Sequence, residues 1–128
     1  MDRVDKKKIL VADDEPSVLY SVERILGNEY AVLTASNGEE AVALARSEKP
    51  DIILMDTMMP KKDGLTACYE IKADEATKAI PVIMLTGVGH DLNKSIAQSA
   101  YGASEYITKP YKPQELLDTI AKFLKNSD

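Results

Sequence analysis

Three short aliphatic runs without polar alternation constrain the fold of this chain more than any other feature of its sequence. They are Ile9–Ala12, Ile52–Met55 and Val82–Leu85. Runs of this length, bounded by charged or turn residues, are typical of parallel strands that are buried on both faces of a sheet. Weaker strand patterns occupy Tyr30–Thr34 and Ser104–Ile107. The sequence therefore predicts a parallel sheet of five strands.

Amphipathic stretches separate the strand patterns and predict helices. Apolar residues recur at helical spacing over Val18–Leu26 and over Leu116–Leu124. Helix starts are indicated by Glu15–Pro16, by Asn37–Glu40, which is similar to a capping box, and by Lys112–Pro113. Each of these helices presents one apolar stripe, which favours packing against a sheet.

Two further helices complete the alternation of strands and helices. The turn Lys61–Gly64 leads into a third helix through Leu65, and a fourth, weaker helix is predicted over Asp91–Ala100. Five alternating βα units imply a doubly wound α/β fold with helices on both faces of the sheet. We predict a single domain over residues 1–128, with Met1–Lys7 as a flexible lead-in and Asn126–Asp128 as a frayed end.

Composition and charge exclude several classes of function. No segment approaches the roughly 20 apolar residues that a membrane span needs, and the charged start of the chain does not resemble a signal peptide. A net charge of −5 argues against direct binding of nucleic acid. The single cysteine, Cys68, is expected to be a buried helix residue and fits a reducing compartment. We expect a cytoplasmic protein.

Five polar side chains follow the predicted strands at their carboxyl ends, where doubly wound sheets bind ligands. Asp13 and Asp14 follow the first strand, Asp56 the third, Thr86 the fourth and Lys109 the fifth. Each aspartate alone is most simply a helix cap or a strand end. Their convergence at one edge of the sheet instead predicts a functional site.

The chemistry of this predicted site follows from its charge. Three carboxylates repel one another unless a cation joins them or protons bind them, and Mg²⁺ suits an oxygen-rich site that also holds a phosphoryl group. A carboxylate can act as the nucleophile that forms an aspartyl phosphate. Lys109 would neutralise one phosphoryl oxygen and Thr86 would hydrogen-bond another.

Four segments resemble the receiver domains of bacterial two-component response regulators, including the chemotaxis receiver, over essentially the whole chain. They are Leu10–Glu15, Asp56–Gly64, Pro81–Gly87 and Tyr106–Pro110. The resemblance implies a phosphorylation-dependent signalling switch rather than a turnover enzyme. It also implies the flavodoxin-like strand order 2-1-3-4-5, which alternation alone does not determine.

The resemblance assigns roles to individual residues. Asp56 would accept a phosphoryl group from a histidine kinase or a phosphotransfer protein. Mg²⁺ would be held by Asp14, by Asp56 and by the backbone carbonyl of Met58, while Asp13 would act largely through coordinated water. The resemblance also directs the amine of Lys109 inward over Asp56, so we predict a cis peptide bond between Lys109 and the following proline.

The resemblance extends to signal output. Thr86 would move toward the phosphate and Tyr106 would change rotamer, which couples the site to the protein face that contains Tyr106. An unknown output partner would bind this face, and the chain would be a monomer or a weak dimer. Whether the chain is a stand-alone receiver or the amino-terminal part of a longer regulator stays open at this stage.

Three rival functions fit less well. A haloacid-dehalogenase-like phosphatase would need a second aspartate where this chain has Met58. A flavodoxin-like flavin carrier would need a phosphate-binding loop after the first strand, where the acidic pair stands. A pseudo-receiver would lack part of the acidic set, which is complete here.

Finally, Met58 and Val88 are apolar at positions where polar groups could place an attacking water, which predicts slow loss of the phosphate. The single histidine, His90, is interpreted as incidental.

Overall fold

A sheet of five parallel strands forms the centre of the protein. The computed structural model describes residues 6–87 and 101–125. The strands are β1 (Lys8–Ala12), β2 (Ala31–Ala35), β3 (Ile52–Asp56), β4 (Val82–Thr86) and β5 (Glu105–Thr108). Their order across the sheet is β2-β1-β3-β4-β5, so the predicted flavodoxin-like arrangement is confirmed. The two weaker strand predictions are displaced from the observed strands by one residue.

Four helices lie within the described residues: α1 (Pro16–Leu26), α2 (Gly38–Glu48), α3 (Gly64–Ala73) and α4 (Pro113–Lys125). The predicted helix over Asp91–Ala100 lies outside the described residues. α1 and α4 begin at a proline, as predicted, because the first helical position needs no backbone N–H and favours the fixed φ of proline. None of the helices in residues 6–87 and 101–125 has the length and apolar character of a membrane span.

Side-chain caps set the starts of α2 and α3. Asn37 Oδ1 accepts a hydrogen bond from the backbone N of Glu40 (2.8 Å), and Asp63 Oδ1 accepts one from the backbone N of Thr66 (2.8 Å). The capping box predicted at Asn37 differs in its reciprocal half. The Glu40 carboxylate accepts from the backbone N of Ser36 (2.7 Å), one residue before the cap.

The core lies on both faces of the sheet, which explains why the strand sequences lack polar alternation. Ile53 and Met55 of β3 pack in the cluster that contains α2 and α3. Ile52 and Leu54 pack in the cluster that contains α1 and α4. Successive side chains of a strand point to opposite faces, so a strand covered on both sides must be apolar throughout.

The strand register aligns the carboxyl ends of the strands at one edge. Ala12 lies opposite Met55, so Asp13 follows β1 beside the end of β3. Asp56 lies opposite Leu85, one residue before Thr86. Thr86 lies opposite Thr108, the residue before Lys109. The topology thereby brings residues 13, 56, 86 and 109 to one place.

Candidate functional site

The acidic residues predicted from the sequence form one cluster at the carboxyl edge of the sheet. One carboxylate oxygen of each of Asp13, Asp14 and Asp56 lies within 4.8 Å of the others. Asp13 and Asp56 are buried, with 1% and 8% of their surface exposed, whereas Asp14 is exposed. Charges of one sign at this separation repel, and burial strengthens the repulsion. The cluster therefore has the chemistry of a cation site that is open on the Asp14 side.

Lys109 supplies the positive charge that faces the two buried carboxylates. Its Nζ donates to Asp56 Oδ1 at 2.8 Å and to Asp13 Oδ2 at 3.2 Å. The peptide bond between Lys109 and Pro110 is cis, as predicted. The backbone N of Lys109 donates to the carbonyl of Thr86 at 2.7 Å, which extends the pairing of β5 with β4 into the site. The expected placement of the amine over Asp56 is confirmed.

Asp56 and Lys109, the partners of the shorter ion pair, both have raised pKa values, with opposite consequences for their charge. Burial raises the pKa of Asp56, and the negative charge of Asp13 adds to this, while hydrogen bonds from Lys109 and from the backbone of Met58 oppose it. Burial lowers the pKa of Lys109, but its contacts with Asp56 and Asp13 outweigh burial and raise it overall. The folded protein thus stabilises the charged lysine and disfavours the charged Asp56.

Thr86 places a buried hydroxyl at the same edge. Its Oγ1 has no hydrogen-bond partner among residues 6–87 and 101–125, and the same holds for the hydroxyl of Tyr106 on β5. A buried polar group without a partner costs about 1–3 kcal/mol. Thr86 therefore offers a hydroxyl whose hydrogen-bonding capacity within the described structure is unused.

Met58 differs from its neighbours because its side chain is 58% exposed. Its backbone contacts the site through the hydrogen bond that lowers the pKa of Asp56. Val88 and His90, which the sequence interpretation also singled out, lie outside the described residues.

Two supporting contacts were not anticipated from the sequence. Asp13 Oδ1 accepts a hydrogen bond from the backbone N of Glu15 at 2.9 Å, which orients this carboxylate. A Cβ at Gly64 would overlap the carbonyl oxygen of Asp56, while the N of Gly64 donates to the carbonyl of Thr57 at 2.9 Å. A glycine in a predicted turn was visible in the sequence, but its contact with the strand end was not.

The fold and the site together define a doubly wound α/β protein with a carboxylate cluster, a lysine and a buried hydroxyl at the carboxyl edge of its sheet. The sequence profile of the response regulator receiver domain matches residues 9–121, and the chain belongs to this family. It is thus a receiver domain of the two-component type, and such domains are phosphorylation-dependent signalling switches rather than turnover enzymes.

Relatives place this domain in proteins of different length. PhoP of Bacillus subtilis, an alkaline phosphatase synthesis transcriptional regulatory protein, is 39% identical over 126 residues, which cover 95% of this chain and 50% of PhoP. Protein PilH of Pseudomonas aeruginosa is 41% identical over 114 residues, which cover 88% of this chain and 93% of PilH. The chain spans about half the length of the transcriptional regulators that it matches.

A solved structure that shares the fold contains a magnesium ion. The receiver domain of a sensor histidine kinase from Pseudomonas aeruginosa, which was crystallised with a magnesium ion coordinated in the active site cleft, matches with a TM-score of 0.81 and 31% identity. The match covers 94% of this chain and 98% of that chain.

Neutralising Asp56 tests the electrostatic description of the site. The raised pKa of Asp56 means that the folded chain binds its proton more tightly than the unfolded chain, so stability falls as pH rises through the titration of this carboxyl. Asp56→Asn removes that charge and leaves Asp13 as a partner of Lys109. We expect a higher midpoint of thermal unfolding at pH 7 in buffer containing EDTA, measured by circular dichroism.

The matched control is Asp63→Asn, which makes the same chemical change at an exposed helix cap where asparagine caps as well as aspartate. Its midpoint should equal that of the unmodified chain. A lower midpoint for Asp56→Asn would show instead that the ion pair with Lys109 outweighs burial and repulsion.

Proposed function

We propose that Asp56 is the phosphoacceptor of this receiver domain and that a histidine kinase or a phosphotransfer protein is the donor. The observation that carries the proposal is the position of Asp56 at the end of a buried strand, 2.8 Å from the amine of Lys109 and within the carboxylate cluster. The Asp56 side chain keeps 11% of its surface exposed, and the neighbouring Asp14 of the cluster is exposed. We propose that the donor approaches from the side of Asp14.

The residues present fit a divalent cation. Asp13, Asp14 and Asp56 supply the carboxylate oxygens that Mg²⁺ prefers, and one lysine does not balance three carboxylates. We assign Asp14, Asp56 and the backbone carbonyl of Met58 as ligands, with Asp13 acting through water. A bound Mg²⁺ would offset negative charge on the carboxylates and on the incoming phosphoryl group. The magnesium ion in the Pseudomonas aeruginosa receiver structure supports this assignment.

The chain's own side chains would assist transfer from a phosphohistidine. A carboxylate oxygen of Asp56 forms the new bond to phosphorus while the bond from phosphorus to the donor's imidazole nitrogen breaks, and the electron pair of that bond leaves with the imidazole. Lys109 stays charged because its carboxylate contacts raise its pKa, so it can neutralise a phosphoryl oxygen throughout the transfer. Its present contact with Asp56 holds it within reach.

The hydroxyls of Thr86 and Tyr106 would carry the signal outward. The unpartnered Thr86 Oγ1 gains a hydrogen-bond acceptor when a phosphoryl group is attached to Asp56, so phosphorylation favours its movement toward the site. Space released behind Thr86 would allow Tyr106 to change rotamer. This change alters the face formed around β5, which we propose as the surface for the output partner.

The proposal also covers the setting of the domain. We assign residues 1–128 to a single receiver domain that is a monomer or a weak dimer and binds no nucleic acid itself. The similarity to transcriptional regulators about twice its length is compatible with an adjoining DNA-binding output domain. Cys68 is a buried free thiol, which supports a reducing location such as the cytoplasm.

Acyl-phosphate labelling tests the phosphoacceptor. The chain should gain the mass of one phosphoryl group when it is incubated with Mg²⁺ and a small acyl phosphate. Asp56→Asn should gain none, because the amide lacks the nucleophilic carboxylate. Asp63→Asn should be labelled like the unmodified chain, and full labelling of Asp56→Asn would refute the assignment.

Metal affinity tests the proposed ligand Asp14. Asp14→Ala should weaken Mg²⁺ binding by about 10-fold or more, since a direct charged ligand is lost and even indirect ligand partners contribute 10–100-fold. Its unfolding midpoint should change little, because Asp14 is exposed. Glu15→Ala is the control, as Glu15 is the adjacent exposed acid outside the cluster. Equal Mg²⁺ affinities of both variants in isothermal titration calorimetry would contradict the assignment.

The lifetime of the phosphorylated state tests the role of Met58. An exposed methionine beside Asp56 covers the approach of water with apolar surface and donates no hydrogen bond. Met58→Asn should therefore accelerate the first-order loss of the phosphoryl group, and Met58→Leu should leave it unchanged. The decay is followed by intact mass with Mg²⁺ present. Decay of Met58→Asn at the unmodified rate would exclude side-chain control of the attacking water.

A further inference from the structure

Gly38, the first residue of α2, packs directly on the backbone of the loop that follows Asp56. Its N donates to the carbonyl oxygen of Lys62 at 3.0 Å. A Cβ on Gly38 would overlap that oxygen and would lie 2.8 Å from the carbonyl carbon and 2.9 Å from the Cβ of Lys62. Contacts this short require the backbone to move, so no other residue fits at position 38 without displacing the loop or the helix.

Backbone conformation does not explain this glycine. Gly27 and Gly102 have positive φ, whereas Gly38 does not. Within a helix, glycine is less favourable than alanine. The contact with Lys62 is therefore the feature that accounts for glycine at this position.

The loop that follows Asp56 has an unfavourable backbone conformation, which contacts with other parts of the protein stabilise. Lys61 has a φ of 66°, a left-handed conformation that is unfavourable for a residue with a Cβ. Lys62 is held from three directions: its carbonyl by Gly38, its backbone N by Pro60, and its Nζ by Glu70 at 2.6 Å. Unfavourable backbone geometry persists where the surroundings over-determine it, and it often does so at functional sites.

We infer that Gly38 is a positioning residue for the phosphoacceptor site. By anchoring the carbonyl of Lys62 it holds the segment between Asp56 and Gly64, and with it the backbone of Met58 that lies against Asp56. The inference rests on the proposed function, in which the Met58 carbonyl is a ligand of Mg²⁺. Mg²⁺ tolerates little departure from octahedral geometry, so a small displacement of this carbonyl lowers its affinity.

The first test compares Mg²⁺ affinities by isothermal titration calorimetry. Gly38→Ala should bind Mg²⁺ about tenfold more weakly, the size of effect found for residues that orient metal ligands. A control variant should keep the affinity of the unmodified chain. Gly27→Ala strains a glycine with positive φ at the end of α1, away from the site.

Thermal unfolding without Mg²⁺ separates positioning from general destabilisation. If Gly38→Ala and Gly27→Ala lower the unfolding midpoint while Gly38→Ala alone loses Mg²⁺ affinity, the positioning role holds. Unchanged affinity in folded Gly38→Ala, or an equal loss in Gly27→Ala, would overturn it.

A second test uses the unmodified chain and decides the question if Gly38→Ala does not fold. Coupling between two sites is reciprocal, so Mg²⁺ must strengthen the anchor as much as the anchor strengthens Mg²⁺ binding. Saturating Mg²⁺ should slow hydrogen exchange of the Gly38 amide about tenfold. The Gly27 amide, which makes a hydrogen bond of the same length (3.0 Å) to Glu23, should not change. Equal behaviour of the two amides would overturn the inference.

Failure of the proposed function has a different signature. An unmodified chain that takes up neither Mg²⁺ nor a phosphoryl group would overturn the proposed function and the role of Gly38 together. A chain that takes up both, with Gly38→Ala indistinguishable from it, would overturn the role of Gly38 alone.

Discussion

Two buried carboxylates held against one lysine are the interaction on which the rest of the site depends. Asp13 and Asp56 are almost fully buried, and Lys109 contacts both. Burying a charge costs several kcal/mol unless it is paired, so the ion pairs with the lysine offset part of the cost of burying the two carboxylates. With Asp14 included, three carboxylates and one ammonium leave a formal charge of −2 (−3 + 1). This imbalance gives the pocket the charge of a divalent-cation site, while burial, followed by the charge of Asp13, raises the pKa of Asp56.

The scaffold converts this unfavourable arrangement into a stable one. Strands buried on both faces hold the ends of β1, β3, β4 and β5 in register, so the charges cannot separate without disrupting the core. Close contacts between backbone segments then shape the loops, as at Gly64 against Asp56 and at Gly38 against Lys62. The stability of the two hydrophobic clusters thus supports a site that opposes folding locally, which is a common relation between function and stability.

The relatives show that this module serves in several settings. The same domain forms about half of a transcriptional regulator in Bacillus subtilis, nearly the whole of PilH, and part of a sensor histidine kinase in Pseudomonas aeruginosa. In each case the match lies in the receiver domain, whereas the length of the whole protein differs. Fold and family therefore define the switch without defining its pathway.

Sequence patterns alone predicted the doubly wound α/β class and four helices within the described residues, because strands buried on both faces are aliphatic throughout. They also predicted the convergence of residues 13, 14, 56, 86 and 109, because the carboxyl ends of parallel strands share one edge of the sheet. The strand order came from family resemblance, since alternation does not specify which strands are neighbours. The tertiary structure alone decided that the N-terminus of α2 rests on the backbone of Lys62, that Asp13 shares Lys109 with Asp56, and that Thr86 and Tyr106 keep unpartnered hydroxyls within the described chain. These features depend on distances between atoms far apart in the chain, and local patterns of residue type carry no record of such distances.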